Sequence, residues 1–353
     1  MEGMWAFALD DETNGRLSLC RDRFGEKPLY TTSTQGGFAY ASEVKTLSRL
    51  AGCRVIPNRD HIKRFLINGY KSLYKTDDTF FQGVSEVAAG TLMHVDDDGT
   101  IKSETYWTPP LDVDDDMDFE RAVAGARDQL SRSVQIRLRA DVPLAFSLSG
   151  GVDSVALASI ARRELGVDVH GFTILNSDPR YEERALVEQV VSELDLQHTG
   201  IKLDTSGFMD RLRSMVTHHA APVYTISHYI QWLLMQEVAK SGHKVVIGGT
   251  GADELFSGYY DHHLLYIAAL DPSERPDAIK AWESTQKRHV RNPFLQDPFR
   301  FVSDPGFRDH IFLEADHFAA LGESPVVEAF SECRYHPVTL RNRMLNELFH
   351  EVV

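Results

Sequence analysis

Two short stretches of this chain combine glycine, hydroxyl and carboxylate residues at spacings that suit phosphate chemistry. The first is Ser149-Gly150-Gly151-Val152-Asp153-Ser154, which follows the apolar run Val142–Leu148 and precedes a helix-like stretch from Val155 to Leu165. A strand that breaks at Ser-Gly-Gly and restarts as a helix makes a compact anion site. Its glycines let backbone N–H groups approach phosphate oxygens, and the helix N-terminus adds a favourable dipole. Asp153 would repel a phosphate directly, so its presence implies a divalent cation between carboxylate and phosphate. The second stretch runs Val245-Val246-Ile247-Gly248-Gly249-Thr250-Gly251-Ala252-Asp253-Glu254, again an apolar strand, a glycine-rich turn and acids. Strand ends of one parallel sheet lie close in space, so Asp153 and Asp253 are candidates to share one Mg²⁺ ion, with Glu254 behind them as a supporting group or helix cap. The chemistry implied is that of a nucleotide whose pyrophosphate leaves.

The elements needed to hold these loops are legible as pattern. From Val142 onward, apolar runs at Val142–Leu148, Val169–Leu175, His198–Leu203 and Val245–Ile247 alternate with helical segments. That alternation predicts a doubly wound α/β fold with a parallel sheet, which binds nucleotides at the C-terminal ends of its strands. Residues 1–107 read instead as mostly β. The pattern gives strands at Met4–Leu9 and Leu17–Cys20 around Asn14-Gly15, at Leu29–Thr32 and Phe38–Ala41 around Gly36-Gly37, and at Gly90–Val95 and Ile101–Trp107 around Asp98-Gly99. Ser42 is placed to cap a helix through Leu50, and Pro57-Asn58 to open another with Ile62, Phe65 and Leu66 on its packed face. Thr108-Pro109-Pro110 and the acidic run Asp112–Asp118 form a polar linker, 108–118. Phe119, Val123, Ala126, Leu130 and Val134 then recur at helical spacing, opening a second domain over 119–353. Its last helical pattern, Leu340 to Phe349, is expected to pack rather than to form a site.

Composition narrows the partners. The chain has 353 residues, 42% hydrophobic and 25% charged, with a net charge of −15 and no Lys/Arg-rich block. Nucleic acid is not an expected partner, because phosphate backbones call for a basic footprint. No segment reaches a membrane-spanning length, and no signal peptide is evident. Cys20, Cys53 and Cys333 are widely spaced, without zinc or disulfide patterning, which suits a reduced cytoplasmic protein. His218-His219 and His262-His263 are neighbours that point apart on a helix and do not resemble a chelating pair.

Ser149–Ser154 resembles the pyrophosphate-binding loop of the N-type ATP pyrophosphatases. Gly249 to Tyr259, with Ala252-Asp253-Glu254-Leu255-Phe256 inside it, is similar to the glutamine-dependent asparagine synthetases. So are Arg21-Asp22-Arg23-Phe24-Gly25-Glu26-Lys27-Pro28-Leu29-Tyr30, followed by Ala41-Ser42-Glu43, and Leu340-Arg341-Asn342-Arg343-Met344-Leu345. The resemblance implies that residues 1–107 are the C-terminal part of an N-terminal nucleophile glutaminase domain. It implies that 119–353 is a synthetase domain, incomplete at its C-terminus, so that the chain reads as an internal fragment of a longer enzyme.

The resemblance also implies the reaction: ATP-dependent amidation of a carboxylate through an acyl-adenylate, with L-aspartate giving L-asparagine. ATP would be bound by Leu148, Ser149, Gly150, Gly151, Val152, Asp153, Ser154, Gly249, Thr250 and Gly251, with adenine against the strand near Thr173 and Ile174. Catalytic roles fall to Asp153, Asp253 and Glu254, and Mg²⁺ to Asp153 and Asp253. Ammonia comes from glutamine in the complete enzyme, and a homodimer is the assembly in view. The family's nucleophilic cysteine has no counterpart here, since Cys20 and Cys53 do not match it. Thr250 stands where most members carry an acid, and a threonine hydroxyl is no base at neutral pH. That residue motivates a second acceptor, such as a uronic acid in polysaccharide assembly. A third reading is an inactive fragment that binds nucleotide weakly.

Overall fold

The computed structural model describes residues 1–351 except Gln35, Cys53, Asp115, Ser177, residues 179–181 and residues 310–331. Two compact units emerge, one built from Met1–Leu111 with Asp253–Val353 and the other from Asp112–Ala252.

In the first unit, β1 (Ala6–Asp11), β2 (Arg16–Arg21), β6 (Thr91–Asp96) and β7 (Ile101–Thr105) form an antiparallel sheet in the order β1-β2-β6-β7. A second antiparallel sheet runs β4-β3-β5, from Gly37–Ala41, Tyr30–Thr34 and Ser85–Glu86. The anticipated hairpins at Asn14-Gly15 and Gly36-Gly37 are therefore present, in registers Ala8↔Leu19 and Thr32↔Ala39. Helices α1 (Val44–Leu50) and α2 (Arg59–Asn68) follow. Asn58 caps α2 by accepting the His61 N–H at 3.2 Å. Two local expectations change. The N-cap of α1 is Glu43, not Ser42, and no side chain caps that end. In α2 the buried face is His61, Arg64, Ile67 and Asn68, while Leu66 is exposed. Arg64 turns inward because the Thr76 hydroxyl accepts from its guanidinium at 2.9 Å, a contact that periodicity does not reveal.

The segment Arg21–Lys27 is held by a buried carboxylate. Asp22, 1% exposed, accepts backbone N–H bonds from Trp5 (3.2 Å), Phe24 (3.1 Å), Glu26 (3.0 Å) and Lys27 (3.0 Å). Arg21 spans the turn from outside, donating to the carbonyls of Lys27, Val87 and Gly25. Asp22→Asn would turn an amide NH₂ toward these donors. It is expected to lower stability by about 1–3 kcal/mol, measured by urea unfolding of the full chain; an unchanged midpoint would show that the turn does not depend on the carboxylate.

The remaining helices of this unit are α9 (Tyr260–Ala269), α10 (Arg275–Thr285), α11 (Arg300–Ser303) and α12 (Thr339–Asn346), with a further turn over Glu347–Glu351. Leu264, Leu265, Ile267, Trp282, Leu295 and Phe301 form their core, with Leu340 packed against it. At the boundary between the units, α8 spans Ala252–Phe256.

The second unit is a parallel sheet with helices on both faces. Its strands are β8 (Leu144–Ser147), β9 (His170–Leu175), β10 (Gln197–Lys202) and β11 (Val245–Ile247), in the order β10-β9-β8-β11. Its helices are α3 (Phe119–Arg137), α4 (Val152–Ser159), α5 (Arg184–Leu194), α6 (Phe208–His219) and α7 (Ile226–Lys240). Side chains alternate across β8 as a pleated strand requires. Phe146 packs with Val134, Ala158 and Val187 of α3, α4 and α5. Ala145 faces the other way, with Phe172, Leu234 and Val238, against α7. In α3 the expected stripe is buried only at its C-terminal end: Val134 is buried, while Phe119 and Val123 are exposed. Asp118, the last of the acidic run, caps α3 by accepting the Arg121 N–H at 2.8 Å. Asp115 of that run and Cys53 lie outside the described residues.

Candidate active site

The strand order places a topological switch point in the second unit. Counted along the chain, the four strands lie 3-2-1-4: the chain steps outward from β8 through β9 to β10, then crosses back to β11 on the other side of β8. In sheets of this order ligands bind beyond the C-terminal strand ends at the switch point, here those of β8 and β11. These are the strands that end in Ser149–Ser154 and Gly248–Gly251. They pair in parallel with Val245↔Leu144 and Ile247↔Phe146. Gly249 lies against the first loop, where a Cβ would stand 2.9 Å from Asp153 Cβ and 3.3 Å from the Ser154 nitrogen. Only glycine permits that approach, so the two glycine-bearing loops are joined at residues 153 and 249.

The first loop is braced from inside. Ser154, 7% exposed, accepts the Ser149 N–H at 3.0 Å on its Oγ, and the two hydroxyls are 2.9 Å apart. Ser149 Oγ accepts the Gly151 N–H at 3.1 Å. The helix α4 starts at Val152 with Gly151 as N-cap and no side chain over that end, which leaves its dipole open to a ligand. Asp153, half-buried in the first turn of α4, has no hydrogen bond or ion pair among the described residues. A carboxylate without protein partners beside an open helix N-terminus is the donor chemistry that Mg²⁺ takes when it bridges to phosphate.

Thr173 and Leu148 are linked. The Thr173 hydroxyl donates to the Leu148 carbonyl at 2.6 Å, so the proton between His198 Nε2 and Thr173 Oγ1, 2.9 Å apart, belongs to the imidazole. Burial holds the His198 imidazole below its ordinary pKa, opposed by Glu188, so it stays neutral as this donor. Thr173 thus fixes the carbonyl that precedes Ser149. Ile174 packs on the opposite face with Phe172 and Leu234. Val152 and Thr250 are exposed, and Gly251 has a left-handed φ of 94°. His198 and Glu183, which accepts the Gly150 N–H, were not marked by sequence. Neither sits in a motif, and each reaches the site from a neighbouring strand or helix.

Asp253 and Glu254 belong to the first unit. The Asp253 side chain lies against Gly258, whose N–H donates to the Asp253 carbonyl at 2.9 Å. Glu254, 2% exposed, accepts from the Tyr259 hydroxyl through Oε1, while its buried Oε2 has no hydrogen bond among the described residues. Burial, then the hydrogen bond and charge of Glu254, raise the Tyr259 pKa and keep the phenol protonated.

The same unit contains a buried charge cluster. Asp261, His262 and Glu347 present ligand-type atoms within 4.8 Å of one another, with His262 Nε2 2.6 Å from Glu347 Oε2. A cation is already present: the Arg343 guanidinium lies 2.8 Å from Glu347 Oε1. Cys20 is a buried free thiol and Cys333 an exposed one.

A parallel nucleotide-binding-type sheet with paired glycine loops at its switch point defines the class. The chain belongs to the asparagine synthase family. The asparagine synthase family model matches residues 125–306, and the glutamine amidotransferase domain model matches residues 1–107. Amidase chyE of Penicillium rubens is 30% identical over 280 residues, covering 73% of this chain and 40% of its own length. Glutamine-hydrolyzing asparagine synthetase 1 of Bacillus subtilis is 28% identical over 288 residues, covering 79% of this chain and 43% of its own. The chain thus spans less than half the length of these relatives. Among solved structures, the NH3-dependent NAD synthetase of Campylobacter jejuni aligns at 19% identity with a TM-score of 0.27. That alignment covers 40% of this chain and 61% of the other. Among the described residues no helix is long and apolar enough to cross a membrane.

Proposed function

We propose that the second unit binds ATP across its switch point, and that the gene product amidates a carboxylate through an acyl-adenylate. The acceptor is L-aspartate and the product L-asparagine. The observation that carries this reading is the seating of Gly249 against Asp153, which joins two glycine-bearing loops where such a sheet binds nucleotides. Family membership supports the chemistry, and the relative from Bacillus subtilis carries that activity in its name.

An oxygen of the acceptor carboxylate attacks the α phosphorus, and the bond from that phosphorus to the bridging oxygen breaks, releasing pyrophosphate. Ammonia nitrogen then attacks the acyl carbon, loses a proton and expels AMP. The amides and hydroxyls of Ser149–Ser154 hold the departing phosphates, and the dipole of α4 favours their charge. Asp153 is the carboxylate of this unit assigned to Mg²⁺, which would neutralise charge on the leaving group. Glu254, buried on Tyr259, acts as a positioning group rather than as a base. Glutamine is the source of ammonia in this reading, and a cytoplasmic homodimer is its setting.

Thr250 favours one second reading. It is exposed and offers a hydroxyl where most of the family has an acid, and relatives of this chain include proteins named as amidases. The acceptor would then be another carboxylate, such as a uronic acid. The test is AMP formation by the full gene product with ATP, Mg²⁺ and ammonia, comparing aspartate with sugar acids. Aspartate-dependent AMP supports the first reading, dependence on a sugar acid supports the second, and AMP formation with neither overturns both.

A further inference from the structure

The amides of the Ser149–Ser154 loop are not used alike. Those of Ser149 and Gly151 are taken by neutral serine hydroxyls within the loop. The Gly150 N–H donates outward, at 3.0 Å, to Oε2 of Glu183, the residue before α5. The contact is built in by the backbone, not reached by a stray side chain. A Cβ on Gly150 would stand 2.9 Å from Leu186 Cβ and 3.3 Å from Glu183 Cβ, so the first turn of α5 lies on the loop. An outward amide of an anion-binding loop therefore already carries a carboxylate oxygen.

We propose that Glu183 occupies the place of a phosphate oxygen on Gly150 and is displaced by pyrophosphate groups, so that it sets the affinity of the loop for its nucleotide. This rests on the ATP reading above. A carboxylate and a phosphate cannot share one N–H donor, and their like charges repel at contact. Glu183 is exposed, so its side chain can swing into water when displaced. The competition weakens ATP and pyrophosphate alike. As pyrophosphate leaves, the carboxylate returns to the amide and opposes rebinding of the product. A ligand without phosphates is indifferent to it.

The experiment is calorimetric titration of the full chain, as wild type, Glu183→Gln and Glu183→Ala, with inorganic pyrophosphate, Mg-ATP and adenosine. Thermal melts confirm that the variants are folded. Both variants are expected to bind pyrophosphate and Mg-ATP about three- to tenfold more tightly than wild type. Adenosine binding is expected to stay the same, and added salt should narrow the pyrophosphate difference. A merely structural role for Glu183 would weaken binding on removal, so tightening separates the two. Unchanged or weaker pyrophosphate binding by the variants, with wild type binding normally, overturns the inference and leaves the ATP reading standing. A wild-type chain that binds neither pyrophosphate nor Mg-ATP overturns the ATP reading and this inference with it.

Discussion

Asp153→Asn is expected to reduce acceptor-dependent AMP formation by the full gene product by about a hundred- to a thousandfold while leaving the fold unchanged. The carboxylate has no partner among the described residues, so its removal breaks no hydrogen bond. Asparagine keeps the Cβ on which Gly249 rests. What changes is the charge available to a bridging cation. The measurement pairs the rate with a urea midpoint and with pyrophosphate binding, with and without Mg²⁺. The expected pattern is an unchanged midpoint, unimpaired metal-free binding and weakened binding in Mg²⁺. Near-wild-type AMP formation would remove Asp153 from the site.

Arg343→Ala is expected to cost about 3–5 kcal/mol of stability at neutral pH, because it leaves several buried carboxylates short of their cation. The guanidinium, 1% exposed, makes two 2.7 Å bonds to Glu351, one of 2.8 Å to Glu347 and one of 3.2 Å to Glu332. Burial pushes the Glu351 carboxyl up, but bonding to Arg343 and the charges of Arg343 and Lys71 outweigh it and hold the pKa below its ordinary 4.5. Glu332 is held down in the same way by Arg308 and Arg343. A folded-state pKa below the unfolded value stabilises above the unfolded value and ceases to do so as pH falls through the folded one. The wild type therefore loses this contribution below about pH 4.5. In the variant the buried acids take up protons more readily, so the gap between the two proteins should narrow on acidification. Urea midpoints at pH 7 and pH 4 measure it, and an equal gap at both would defeat the charge account. Arg343→Lys is no conservative replacement here, since one ammonium cannot fork onto Glu351 and reach Glu347 as well.

The parallel sheet was legible because its two central strands, Leu144–Ser147 and His170–Leu175, bury their middle residues and appear as apolar runs, with helical patterns between the strands. All four lie within two residues of their expected ends. The phosphate loop was legible because glycine and serine at a strand end serve few other purposes. Strand order was not, because pairing is settled by contacts distant in sequence; the 3-2-1-4 arrangement that makes Gly249 and Asp153 neighbours had to be seen. Glu183 was invisible for the same reason. Arg343 and Glu351 carry the opposite lesson. Their residue types suggest solvent, and only mutual neutralisation allows them inside. That is why the sequence does not show residues 253–353 joining residues 1–111 in one unit.

That unit is discontinuous, and its order of synthesis matters. Phe349 lies near Phe24 and Trp107, with ring centroids 6.0 and 6.1 Å away. Lys71 meets Glu351 at 3.0 Å, and Tyr74 stacks on His350 at 4.2 Å. The segments around Phe24, Lys71, Tyr74 and Trp107 thus complete their packing with residues translated about 240 positions after Trp107. At about 5–20 residues per second, that is a wait on the order of ten to fifty seconds. Meanwhile residues 112–252, whose contacts are contained in one continuous stretch, emerge whole and can fold first. The nascent chain therefore passes through a stage in which aromatic surface of its first hundred or so residues, at Phe24, Tyr74 and Trp107, is uncovered and open to chaperones. A stop codon a few positions before Glu351 would strand the N-terminal sheets while sparing the nucleotide-binding-type unit.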